Sequence, residues 1–131
     1  METGNTSAAE AQVRQLLDTW TAAVRARDIE KVLAHHSADI VMFDVPPPVE
    51  WRGMRKYRES WELFFKHFGG AFDIEKMDIA ASGDVACGYG VLQCGKPGDT
   101  FPVRLTVCLR RIDGQWTIVH EHHSVPAAVE D

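Results

Sequence analysis

The architecture is read most directly from residues 103–124, V-R-L-T-V-C-L-R-R-I-D-G-Q-W-T-I-V-H-E-H-H-S. Both halves are rich in β-branched and aromatic residues, the composition of strands. Asp113-Gly114 between them is a preferred two-residue hairpin turn, since both residues tolerate the positive φ of a type I′ turn. That turn sets Ile112 opposite Gln115. An unbroken ladder from there pairs Leu105 with His122, Thr106 with Glu121, Arg104 with His123 and Val107 with His120.

Side chains alternate across a strand, so this ladder has two faces. One carries Arg104, Thr106, Cys108, Val119, Glu121 and His123. The other carries Leu105, Val107, Leu109, Trp116, Ile118, His120 and His122. By hydrophobic pattern the second is the core face. The first is a polar wall on which Arg104, Glu121 and His123 could meet.

Upstream, Ser7 and Glu10 form a capping box for a first helix. Its stripe is Val13, Leu16, Leu17, Trp20 and Val24, and it should end near Arg27. Asp28 caps a short second helix bearing Ile29, Val32, Leu33 and His36. A strand over 39–44 leads into Pro46-Pro47-Pro48, which fits neither a helix interior nor a central strand. Gly53 opens a third helix with the stripe Met54, Tyr57, Trp61, Phe64, Phe65 and Phe68, closed by Gly69-Gly70. Phe64 and Phe68 read as core. Strands then fit 71–80, 84–94, 101–111 and 115–124. Helices followed by an antiparallel meander give an α+β fold, a curved sheet with its helices on one face. The mouth of such a cone is a natural ligand site.

The 131 residues suit one domain over 1–131, with 1–7 a flexible lead and 125–131 a tail. A net charge of −5 and the absence of basic runs argue against nucleic-acid and membrane partners. The odd trio Cys87, Cys94 and Cys108 lacks C-x-x-C spacing and reads as buried free thiols. With no signal-like apolar segment at the N-terminus, the expected compartment is the cytoplasm. No glycine-rich phosphate loop is present, so no cofactor is expected. The H-x-H of His120 and His122 lacks a third ligand of suitable geometry; these are expected to be packed histidines, with no metal.

Several segments carry a resemblance: D-T-W-T-A-A-V-R-A-R-D-I-E (18–30), A-D-I-V-M-F-D (38–44), the Gly53 helix start and D-G-Q-W-T-I-V-H-E-H-H-S (113–124). The chain resembles the nuclear transport factor 2 superfamily, in its SnoaL-like and ketosteroid-isomerase-like branch. The resemblance implies a cystatin-like cone, three N-terminal helices on a strongly curved, mainly antiparallel mixed sheet. It carries the isomerase base onto Asp44 and the oxyanion-hole tyrosine onto Trp20. Aromatic support falls on His36 and Trp61, and the second oxyanion residue on Thr106. The base is matched and the oxyanion pair is not, which argues against ordinary steroid isomerisation.

The W-x-x-V-H-x-H-x-S pattern at 116–124 is also similar to the association domain of calcium/calmodulin-dependent kinase II. That similarity turns His123 into the pocket, beside Arg104, Thr106 and Glu121, and places the face of Trp116, His120 and His122 in a dimer. Pattern and resemblance thus assign the two faces oppositely. The implied function is binding of a small hydrophobic ligand. It could extend to acid–base chemistry on a carbonyl or polyketide-like compound, with Asp44 taking the proton and His123 or Arg104 stabilising the oxyanion. The alternative is a non-catalytic ligand-binding or assembly module. In either case a homodimer through the sheet is expected.

Overall fold

A computed structural model describes residues 3–128, with side chains from residue 8 onward. Three helices, α1 (Thr3–Ala26), α2 (Ile29–Leu33) and α3 (Gly53–His67), pack on one face of a six-stranded sheet. The strands are β1 (His36–Phe43), β2 (Trp51–Arg52), β3 (Ala71–Ser82), β4 (Val85–Lys96), β5 (Asp99–Ile112) and β6 (Gln115–Ser124), in the order β2-β1-β6-β5-β4-β3. Only β1 and β6 run parallel. The α+β class and the mixed curved sheet are as expected.

Local differences have local causes. The first helix begins at Thr3, so the lead is helical before Ser7; the Ser7 side chain lies outside the described residues. Residues 129–131 of the expected tail lie outside them too. Asp28 caps α2 as expected, its carboxylate accepting from the Lys31 amide. The helix stops at Leu33, and His35 adopts a positive φ. His36 therefore opens β1, where it pairs with Ile118, and is not part of a helix. The two-residue β2 beyond the prolines was not expected. It pairs Trp51 with Met42 at the sheet edge.

The sheet is bent by two devices. Beside a bulge between Ile74 and Lys76, Gly90 lies so close to β3 that a Cβ would meet the Lys76 carbonyl. Only glycine permits that approach. The second device lies in the last hairpin. Its turn is as read, with Asp113 and Gly114 both at positive φ and Ile112 opposite Gln115. Leu109 still pairs with Ile118, but Cys108 pairs with His120, leaving Val119 as an extra residue.

A one-residue bulge exchanges the faces of everything beyond it. Val107 now opposes Glu121, Thr106 opposes His122 and Arg104 opposes Ser124. Leu105, Val107, Leu109, Trp116, Ile118, Glu121 and His123 are all buried under the helices. Pattern was right about Trp116 and resemblance about His123. The unbroken ladder and its face lists were wrong. Arg104 and Thr106, expected in the pocket wall, lie exposed on the outer face, where Arg104 Nε donates to Ser124 Oγ at 3.0 Å. Trp116, expected in a dimer face, packs beneath α1 and donates to Gln12.

Candidate functional site

Beneath α3, the end of β1 and the upper parts of β3 to β5 enclose a cavity of about 490 Å³. Its walls are mostly apolar, with Trp51, Trp61, Phe64, Phe72 and Phe101 among them. Asp44, Ser60, His67, Cys94 and His123 contribute the polar groups. The sequence-derived residues Asp44, Trp61 and His123 thus line one cavity. Trp20 stands behind it, edge-on to Trp61 at 5.9 Å and to His123 at 6.4 Å.

Each polar group has a structural origin. Asp44 follows the last β1 residue, and its Oδ1 accepts the Val45 amide at 2.8 Å. Asp44 thus caps its own turn and lines the cavity at the same time. Ser60 is spent on the helix, donating to the Tyr57 carbonyl. Burial, with the Asp73 and Asp44 carboxylates, pushes the Cys94 thiol up to about 12, which leaves little thiolate for nucleophilic work.

Behind His123 lies a sealed polar network. His123 Nε2 donates to Glu121 Oε1 at 3.0 Å. Glu121 Oε2 accepts from the Tyr57 hydroxyl at 2.5 Å and lies 2.7 Å from His36 Nε2. His36 Nδ1 donates to the Ala34 carbonyl at 2.8 Å, which fixes the ring. His36 Nε2 also lies 2.8 Å from the Tyr57 hydroxyl, so tyrosine, imidazole and carboxylate meet at one buried point. The side chains of His36 and Glu121 are wholly buried.

The electrostatics follow from this geometry. Burial alone would raise the Glu121 pKa, but hydrogen bonds from His123 and His36, and their charges, lower it from 4.5 to about 2. Burial alone would lower that of His123. The hydrogen bond and charge of Glu121, with the Asp44 carboxylate, raise it instead. Tyr57 is held well above the usual phenol range by burial and by Glu121. The indoles of Trp61 and Trp20 act in the opposite sense. Neither reaches hydrogen-bond geometry, and among the described residues both N–H groups are buried without a partner, as is that of Trp51.

The second nitrogen of His123, Nδ1, makes no hydrogen bond among the described residues, and its ring lines the cavity. An imidazole held by a buried carboxylate can hold a proton toward a bound oxygen, while Asp44 offers a carboxylate on the same wall. Tyr57 was missed by sequence reasoning, which took it as one more stripe residue. The available signal was that a buried tyrosine hydroxyl needs a partner. His36, taken only as aromatic support, is a hydrogen-bonding member of the network. Among the described residues no group of three His, Cys, Asp or Glu is arranged to hold a metal ion. Among the described residues no helix is long and apolar enough to cross a membrane.

Comparison with known proteins places this architecture. A search of curated proteins found no match. Among solved structures, an NTF2-like protein of unknown function from Pseudomonas putida KT2440 superposes with a TM-score of 0.90 at 35% identity, over 95% of this chain and 92% of that one. A proposed calcium/calmodulin-dependent protein kinase II association domain from Xanthomonas campestris gives 0.74 at 24% identity, over 89% and 87%. A proposed dehydratase of the NTF2-like family from Streptomyces avermitilis gives 0.77 at 17% identity, over 90% and 97%. The last two likenesses are of fold alone. The SnoaL-like domain family matches residues 13–128, nearly the whole chain. With the cone, its covered sheet face and this match in agreement, the chain belongs to the SnoaL-like domain family of the NTF2-like superfamily.

Proposed function

We propose that this protein binds a small hydrophobic carbonyl compound and moves a proton on it, in the manner of an isomerase, cyclase or lyase. The observation that carries this reading is the pairing of Asp44 with a carboxylate-backed His123 on the wall of a largely apolar cavity. Asp44 takes a proton from the carbon next to the carbonyl. The C–H electrons shift to form an enol, and His123 gives a proton from Nδ1 to the carbonyl oxygen. Reversal at another carbon gives isomerisation. Expulsion of a β-substituent gives elimination. An apolar surround strengthens both interactions by excluding water. Arg104 has no part in this, because it stands on the other side of the sheet.

The test is proton exchange. Methyl ketones and cyclic enones incubated with the protein in deuterium oxide should lose their α-protons faster than in buffer, as followed by NMR. Asp44→Asn should slow that exchange by roughly 10² to 10⁴, the usual contribution of a positioned base. Binding without accelerated exchange would instead establish the non-catalytic reading.

A homodimer through the outer sheet face belongs to the same proposal. The apolar strand face first expected to form the contact is buried under the helices. The outer face still presents Val41, Phe43, Tyr89 and Val91, with His120 and His122 edge-on to Phe43.

A further inference from the structure

The surface around the cavity mouth carries information about the ligand that the catalytic pair does not. Eight large hydrophobic side chains stand exposed among the described residues, and four of them line this one cavity. They are Val45 (49% exposed), Leu63 (48%), Phe68 (53%) and Phe101 (44%). They come from the loop after β1, from α3 and its end, and from β5, so only the tertiary fold gathers them. Phe68, read as core from its helical spacing, stacks on Phe64 at 5.4 Å and faces outward. Exposed apolar side chains scattered singly need no explanation; a ring continuous with a cavity does.

From this rim, and resting on the function proposed above, we infer that the ligand is an uncharged, elongated carbonyl compound whose apolar chain leaves the cavity and lies across Leu63, Phe68 and Phe101. A ligand contained within the cavity would leave the rim wet. A protein partner seated on the rim would cover the mouth that leads to Asp44 and His123. The charge of the ligand is set by the wall. The His123 imidazole is already engaged by Glu121, His67 stands exposed to solvent at the end of α3, and the carboxylate on the wall is that of Asp44. A free carboxylic acid would carry a second negative charge into an apolar space beside Asp44, losing hydration without gaining a buried cation to replace it.

The experiment is a binding series with methyl n-alkyl ketones from pentyl to undecyl, followed by calorimetry or by the fluorescence of the cavity tryptophans. The wild type should tighten about fourfold with each added methylene through the whole series, as buried CH₂ groups do. Leu63→Ser/Phe68→Ser replaces two exposed rim side chains and should leave the melting temperature little changed. It should match the wild type for short ketones and flatten for long ones. A linear carboxylate matched in length to a tight-binding ketone should bind more weakly than that ketone.

A wild-type series that levels off at the same chain length as the double variant would overturn the inference while leaving the proposed function standing. So would a carboxylate that binds as tightly as its ketone. A double variant that lowers the molecular mass in solution without altering ketone binding would show that the rim is a protein interface. If no ketone of any length binds, the proposed function fails along with the inference.

Discussion

Glu121 is the residue on which the site turns. It sits in the interior with Tyr57 and His36 on one oxygen and His123 on the other. Breaking a buried pair of this kind is costly, because the remaining charge keeps its desolvation penalty. Its pH dependence follows from the two shifts. Glu121 titrates lower in the folded protein, so its stabilising contribution is present above 4.5 and is lost as pH falls toward about 2. His123 titrates higher, so its contribution is present below 6.5 and is lost as pH rises through its folded value. Thermal melts should therefore show this network contributing most between about pH 4.5 and 6.5. Glu121→Gln should remove that pH dependence and destabilise the fold by about 3 kcal/mol or more. An unchanged melting profile would show that the network contributes nothing to stability.

The element with most consequence is β6, and within it the extra residue Val119. Turn chemistry at Asp113-Gly114 set the start of the ladder correctly. A strict period of two then carried the faces wrong from His120 onward, because nothing in V-H-E-H-H announces a bulge. The fold needs one. Trp116 and Ile118 must reach the helices, and so must Glu121 and His123, and no unbroken strand turns both odd and even positions the same way. Deleting Val119 should close the ladder in its present pairing, because Ile118, Glu121 and His123 then share one face by simple alternation, and should remove only the local bend that the bulge supplies. The expected outcome is a cooperative melt with near-UV circular dichroism retained. Loss of both would show that the fold needs the bend itself and not only the exchange of faces.

For the whole molecule, one sheet face is spent on the core and the cavity, and the other is left to solvent or to a second copy. Light scattering at micromolar concentration should give the mass of a dimer. Tyr89→Glu on the outer face, where Tyr89 is half exposed, should reduce it to a monomer with its cavity intact. A wild-type monomer under those conditions would rule out the sheet-to-sheet dimer. Because Arg104 and Thr106 lie on this outer face, replacing them should affect association and leave ketone binding unchanged.

What the amino-acid order determined alone was the α+β class, the three helices, the four strands of the meander, the hairpin turn and the candidacy of Asp44 and His123. Each rests on interactions within a few residues: helical and strand periods, caps, glycines at positive φ, and for the site residues a family resemblance. What tertiary structure decided was which strand residues face inward beyond Val119, the parallel pairing of β1 with β6, and the hydrogen bonds gathered by Glu121. Those bonds join His36, Tyr57 and His123 across up to 85 positions of sequence. Local rules do not reach that far. The bulge, the buried network and the apolar rim arise only when distant segments compete for the same interior.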